Sequence, residues 1–399
     1  KYGSPMNDIR FTIIDNKEFH ERFDSSASLH FETLAEMKGC IPHFIDPSTK
    51  IVWDDTWPAS APTVYFPFFI REPFTMETMD FCSLIDDDHL KLLKEEKLVP
   101  IIFMISEAWP IFERGPIRST YSKVIAQFEK HGIKEQNIVW LVCVKDIIPD
   151  WVKAKFIHFD YFLEEQKKMK MPWLGLEQIN KVFISMGRGV KRHHRYGMTY
   201  SLYKNDLLKH GKVSCAEYDD FKYMNGGVLT TNQYLASLDC WDQDSCDNFI
   251  KSLPYDIDKP NNDKVLTHAN GQDETFLLED VFVNLVNETH QIDHLTFVTE
   301  KTYRCINLCR PFLINGDNGT LAYLKEIGFK TFSDFWDESY DDMGTTDFNK
   351  ISKLTKILKN LCAKSEEELL SMFKEMTPIL EHNHKHLMDF KQWHKLNIK

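Results

Sequence analysis

The stretch Val281-Phe282-Val283-Asn284-Leu285-Val286, the run Thr299-Glu300-Lys301-Thr302 and the stretch Pro311-Phe312-Leu313-Ile314-Asn315 decide how this chain folds. The outer two are short apolar runs rich in branched and aromatic residues, the pattern of strands buried on both faces. Between them, a threonine followed by an acidic residue opens a helical pattern, as an N-cap and a first turn do. Strand, helix and strand at that spacing predict a parallel βαβ unit whose helix opens where the first strand ends. Such a crevice suits phosphate, because helix N–H groups and the helix dipole point into it. Lys301 would add a point charge to the phosphates, and Glu300 can accept hydrogen bonds from ribose hydroxyls. These residues predict a chain that uses a sugar nucleotide.

The same alternation runs outward in both directions. Residues 64–70, 100–105 and 137–144 read as strands, and 121–131 as a helix closed by Gly132. A charged helical stretch, 161–171, leads into Pro172-Trp173-Leu174-Gly175, after which 181–185 restarts the strand pattern. A helix is expected from about Arg195 to His210, stopped by Gly211, and the Asp-, Asn- and Pro-rich residues 239–271 read as an excursion at the rim. Residues 321–327 then read as a helix and 330–332 as a strand, while Ser365 with Glu368 forms the capping box of a terminal helix. A chain of 399 residues is long enough for two cores. The expected division is an α/β domain over 6–175, a second over 176–348, and C-terminal helices over 349–399 that cross back to the first; residues 1–5 read as added ahead of a start at Met6.

Composition narrows the partners. Forty-eight Lys and Arg against sixty Asp and Glu leave a net charge of −12, so no global field draws the protein to nucleic acid or an anionic membrane. Any polyanion contact must be local, and the densest basic patch is Arg188, Lys191, Arg192, His193, His194 and Arg195. Nine cysteines without paired CxxC spacing argue for reduced thiols and a cytoplasmic setting. No window is apolar enough to span a bilayer.

Three ordered segments carry a resemblance. Residues 282–286, Glu288-Thr289, Phe297-Val298-Thr299-Glu300-Lys301 and Pro311-Phe312 together resemble the donor-binding motif of the α1,3-fucosyltransferase family. That resemblance implies that Glu300 and Lys301 hold the ribose and phosphates of a nucleoside-diphosphate sugar. Val182-Phe183-Ile184-Ser185 followed by Arg192 and Arg195 is similar to the family's strand, Ser-Asn turn and helix-initial arginine, with Met186 where asparagine is expected. The diphosphate-gripping arginine is then Arg188, Arg192 or Arg195. Glycosyltransferase-like proteins of phages and large viruses are more similar still. The shared segments here are Gly187-Arg188, Arg192, His194-Arg195, Gly328-Phe329-Lys330-Thr331-Phe332 and Glu338-Ser339-Tyr340-Asp341. The resemblance covers residues 181–345 and implies a GT-B architecture: two Rossmann-like domains facing a cleft, the second binding the donor. Thr299 belongs to the donor motif, and Glu288 either meets sugar hydroxyls or stabilises its loop.

Transfer of a sugar to a hydroxyl needs a base for the acceptor proton. Glu107, after the strand at 100–105, is the candidate in the first domain, Glu72 is its rival, and a structural carboxylate is the third reading of both. Asp86-Asp87-Asp88, Asp242-Gln243-Asp244 and Asp256-Ile257-Asp258 match the Asp-x-Asp pattern of metal-dependent enzymes but sit in charged or polar surroundings that suit caps and loops, so neither metal nor cofactor is implied. His382, His384 and His386 lack an acidic or thiol third ligand and read as structural. Gly187-Arg188-Gly189 lacks the third glycine of a dinucleotide fingerprint, which disfavours an oxidoreductase. The resemblance to the viral proteins implies, as acceptor, a hydroxymethylated base in phage DNA, which Trp53, Trp57 and Trp109 could stack when flipped; a glycan or lipid-linked hydroxyl is the alternative. A sugar-nucleotide-binding protein without catalysis is the rival from another class.

Overall fold

Every pairing between the strands of both sheets is parallel. The computed structural model describes residues 9–11, 51–53, 64–69, 80–104, 120–145, 148–169, 175–187, 192–221, 229–257, 277–291 and 295–391. Contacts divide the chain into two units, residues 1–164 with 391–399, and residues 165–390. No helix among the described residues is long and apolar enough to cross a membrane.

The first unit holds β1 (Ile9–Phe11), β2 (Ile51–Trp53), β3 (Val64–Phe69), β4 (Leu98–Met104), β5 (Val139–Val142) and β6 (Lys155–His158), in the order β2-β1-β3-β4-β5-β6. Helix α1 (Asp87–Lys94) precedes β4 and α2 (Thr120–Lys130) precedes β5. The three strands expected at 64–70, 100–105 and 137–144 are β3, β4 and β5. Asp86 does cap chemistry, accepting the N–H of His89 at 3.0 Å to start α1. Fully buried Trp140 fills the core, stacked on Phe156 at 5.6 Å, with Tyr121 and Phe128 of α2 against it. Glu72, Trp57, Glu107 and Trp109 lie outside the described residues.

The second unit takes the end of α3 (Tyr161–Lys168) and then runs β7 (Lys181–Gly187), α4 (His193–Lys204), β8 (Gly211–Cys215), α5 (Thr231–Ala236), α6 (Gln243–Ser252), β9 (Val281–Asn287), α7 (Glu300–Asn307), β10 (Phe312–Asn315), α8 (Thr320–Glu326), α9 (Asp347–Cys362) and α10 (Glu366–Asp389). Its sheet order is β10-β9-β7-β8. The chain leaves β7 for β8 on one side and leaves β9 for β10 on the other. The carboxyl ends of β7 and β9 therefore flank a topological switch point, the place where open α/β sheets accept ligands. Seven residues of β9 are all buried, which explains the continuous apolar run in its sequence.

Four expectations change. The helix expected to reach His210 ends at Lys204, where Asp206 takes a left-handed φ of 57°. Gly211 opens β8 instead of closing a helix, and a Cβ there would lie 2.4 Å from the Phe183 ring. The polar segment from 239 contains α6, started by Asp242 and anchored by buried Cys246 and Phe249. Residues 330–332 form no strand, because the Asn383 side chain donates to Lys330 O at 2.8 Å and accepts from Lys330 N at 2.7 Å, supplying the bonds a strand partner would give. Within the second unit, α9 packs on α4, β7 and β10, and α10 on α7 and β9.

Candidate functional site

Two helix N-termini meet at the switch point. Helix α4 has Arg192 as its N-cap, five residues after the β7 terminus Gly187, and Arg188 lies in the intervening stretch outside the described residues. Gly187 lets the strand end pass close to its neighbours, since a Cβ would stand 3.1 Å from Ser214 O and 3.7 Å from Arg195 Cβ. Helix α7 opens at Glu300 with Thr299 as its N-cap, the threonine hydroxyl accepting Lys301 N at 3.3 Å.

Glu288, 1% exposed, joins the two helices. Its carboxylate accepts Thr299 N at 3.2 Å, Thr299 Oγ1 at 2.5 Å and Thr302 Oγ1 at 2.6 Å. Its backbone carbonyl accepts Arg195 Nη2 and His194 Nε2, each at 3.0 Å. Of the two roles the sequence leaves open for Glu288, these contacts are the loop-stabilising one. A polar ladder lies behind it. Asn287 donates to Ser185 Oγ at 2.9 Å, and Asn315 donates to Asn287 Oδ1 at 2.8 Å and to His194 O at 3.3 Å. Asn287 and Asn315 close neighbouring strands in register, so their side chains tie β7, β9 and β10 to the first turn of α4. Close passage of β10 beyond them requires Gly316, whose Cβ would meet Glu288 Cβ at 2.7 Å.

Lys301 points back over this turn. Its Nζ lies 2.7 Å from Glu300 Oε1, 3.2 Å from Thr299 Oγ1 and 3.5 Å from Thr289 Oγ1, with the lysine and glutamate side chains 22% and 27% exposed. Burial acts to raise the Glu300 carboxyl, but the adjacent Lys301 ammonium outweighs it and holds the group below the usual glutamate range. His290, 4% exposed, has its imidazole held down to about 3, first by burial and then by the charges of Arg192, Arg195 and Lys301. Cations from two separate helices thus act on one imidazole. His194 is held well below its usual value by burial, then by Arg195.

The chain matches no protein-family model, no curated protein and no solved structure. The chemistry of the crevice therefore rests on its own geometry. Arg192, Arg195, Glu288, Thr299, Glu300 and Lys301 lie at or beside the two helix openings. Asn287, Asn315 and His290 join them without having been singled out in the sequence. The remaining signature residues serve the frame. Glu338 accepts Thr331 Oγ1 and Phe332 N, both at 2.7 Å, while Tyr340 is wholly buried and Asp341 pairs with Lys350 at 3.1 Å. The three C-terminal histidines cap helix ends: His384 Nδ1 meets Asn307 O at 2.9 Å, His382 Nε2 meets Gly328 O at 3.0 Å and His386 Nε2 meets Ile327 O at 2.7 Å. Among the described residues no group of three or more His, Cys, Asp or Glu side chains is placed to hold a metal ion.

The two neutral histidines set an acid limit on stability. Unfolded histidine binds a proton near its ordinary value of about 6.5. Folded His194 and His290 bind theirs only at lower pH, His290 at about 3. Acidification therefore favours the unfolded chain: their contribution is present above about 6.5 and is lost as pH falls toward the folded values. The urea midpoint is expected to drop between pH 7 and pH 5, and His290→Gln to flatten that dependence; an equally steep decline in the variant would remove His290 from it.

Proposed function

We propose that the second unit binds the diphosphate of a nucleoside-diphosphate sugar at the switch point, and that the protein is a glycosyltransferase of GT-B type. The observation that carries this reading is that α4 and α7 open on the two sides of Glu288, whose carbonyl accepts Arg195 Nη2 and whose carboxylate accepts Thr299 and Thr302, with Lys301 Nζ 3.5 Å from the adjacent Thr289 Oγ1. Like charges gathered at two helix N-termini repel one another and the helix dipoles, and an anion relieves that repulsion. A diphosphate has the charge, and its two phosphates can address two helix ends.

In transfer, the bond between the anomeric carbon and the phosphate oxygen breaks and its electron pair stays on the diphosphate. Arg192, Arg195 and Lys301 meet that developing charge, and Glu300 beside Lys301 is placed for a ribose hydroxyl. In a GT-B arrangement the first unit would present the acceptor. Glu107, or Glu72 in its place, would take the hydroxyl proton.

A thermal-shift screen against sugar nucleotides is the first test. A ligand at a hundredfold excess over its dissociation constant adds about 2.7 kcal/mol of stability. Selective stabilisation by one nucleoside-diphosphate sugar, lost in Arg195→Lys or Lys301→Ala, is the expected result; indifference to all of them sinks the reading. Binding with neither sugar transfer nor donor hydrolysis would leave a sugar-nucleotide-binding protein. Among acceptors, DNA carrying a hydroxymethylated base predicts a gel shift that weakens steeply with salt, whereas a glycan predicts a response nearly independent of it.

A further inference from the structure

A cavity of about 310 Å³ opens between the last turn of α4, the loop after α5 and one face of α9. Ser201 in its wall lies nine residues beyond Arg192, about 14 Å along the helix, so the cavity is separate from the crevice. Its floor is apolar, formed by buried Leu238 and Ile351. The two hydroxyls that share the floor have committed their protons: Thr355 Oγ1 donates to Ile351 O at 2.8 Å, so it accepts from Ser201 Oγ, also at 2.8 Å. The cations stand at the rim. Lys356 and Lys359 are exposed and three residues apart on the same face of α9. Among the described residues neither has a carboxylate within ion-pair distance. Lys359 Nζ reaches the neutral Asn205 Oδ1 at 3.4 Å, and Asp337, whose carboxyl feels Lys356, is held by Ser339 N and Oγ, each at 2.9 Å. Lys204, in the last turn of α4, is engaged by Asp242 and Ser245. The lining carries one carboxylate, exposed Asp239.

We propose that this cavity binds a small organic monocarboxylate, its apolar body on Leu238 and Ile351 and its carboxylate between Lys356 and Lys359. Two cations against one acid leave the lining with a net charge of +1. One carboxylate neutralises that charge, and a dianion such as a phosphate monoester overshoots it. Two ammonium groups three residues apart on a helix repel each other, and a carboxylate between them relieves the repulsion with one oxygen for each. The body has to be apolar. Because the hydroxyl protons of the floor are already taken, a polar body would give up its bonds to water and find no donor in return. A neutral apolar molecule would cover the floor and leave the lysines unanswered. The volume lies at the small end of the range for small-molecule sites, so the ligand is compact. This site stands whether or not the crevice holds a diphosphate.

Benzoate is a suitable probe, and the thiol of Cys240, half-buried in the cavity wall, reports on it. Cys362, half-buried on α9 and outside the lining, is the internal control. Alkylation of the wild-type protein by N-ethylmaleimide, followed peptide by peptide in a mass spectrometer, is expected to slow severalfold at Cys240 under saturating benzoate and to stay unchanged at Cys362. The half-protecting concentration is expected to rise about tenfold when Lys356→Ala and Lys359→Ala are combined, two exposed charge contacts being lost. A similar rise is expected when uncharged benzamide replaces benzoate. Lys301→Ala should change nothing. No protection, equal protection by benzamide, or protection unchanged in the double lysine variant overturns the proposal. Protection lost in Lys301→Ala overturns it too, since benzoate would then be an anion of the crevice. If Cys240 does not alkylate in the free protein, saturation-transfer NMR of benzoate decides: a signal that the double variant weakens supports the site, and an equal signal refutes it.

Discussion

Lys301→Ala is expected to lower sugar transfer by about two to three orders of magnitude, the effect of losing one preorganised charge-stabilising group worth roughly 2–4 kcal/mol in the transition state. The fold should survive. Lys301 is part-exposed and its partner Glu300 retains solvent access, so their pair contributes no more than about 1 kcal/mol to stability. Lys301→Arg keeps the charge but moves it along a longer, planar group, and an intermediate loss is expected. Parallel assays of turnover and urea midpoint check both halves. Turnover near that of the wild type in Lys301→Ala would remove Lys301 from the donor site. A collapse of the midpoint would mean instead that its bonds to Thr299 and Thr289 hold the α7 turn together.

Lys350→Met is expected to cost about 3–5 kcal/mol of stability, the range for leaving one half of a buried ion pair. Lys350 and Asp341 are 0% and 3% exposed. Lys350 Nζ also donates to Gly316 O at 2.8 Å, and Asp341 Oδ2 accepts Leu321 N at 2.6 Å, so the pair binds the turn after β10 to α9. Burial pushes the Asp341 carboxyl up to about 6 even with Lys350 opposing it. Its folded value thus exceeds its unfolded one. The contribution from this group is complete below the unfolded value, about 3.8, and is lost as pH rises through about 6. Without the ammonium, the carboxyl should keep its proton to higher pH. Denaturant titration at constant slope measures the loss. A second change, Asp341→Leu, should recover part of it by removing the stranded acid.

The fold was legible where burial on both faces writes a continuous apolar run, as in β4, β5 and β9. It was illegible in the edge strand β8, which is only partly buried, whereas β10 at the other edge is buried throughout and was read. Gly211-Lys212-Val213-Ser214-Cys215 alternates polar with apolar, and Lys212 spends its charge on Asp280 at 2.6 Å and its remaining reach on Leu277 O at 3.0 Å. Helix α6 was hidden by a composition of caps and charges, because only Cys246 and Phe249 are buried from it. Residues 330–332 have a strand's sequence, and a side-chain amide on α10 takes the place of the strand they would need. In the site, Arg192, Arg195, Glu288 and Lys301 were readable from the order of their motifs. Asn287, Asn315 and His290 were not. A lone polar residue at the end of a strand carries no periodic signal, and its role emerges only when the register sets it beside its partner.

Glu288 gives its carboxylate to one helix and its carbonyl to the other, so the distance between the two positively charged helix openings is inherited from the backbone of β9. A ligand meets a spacing already set, with little left to rearrange on arrival. Substitution within this triangle releases a helix as well as a contact.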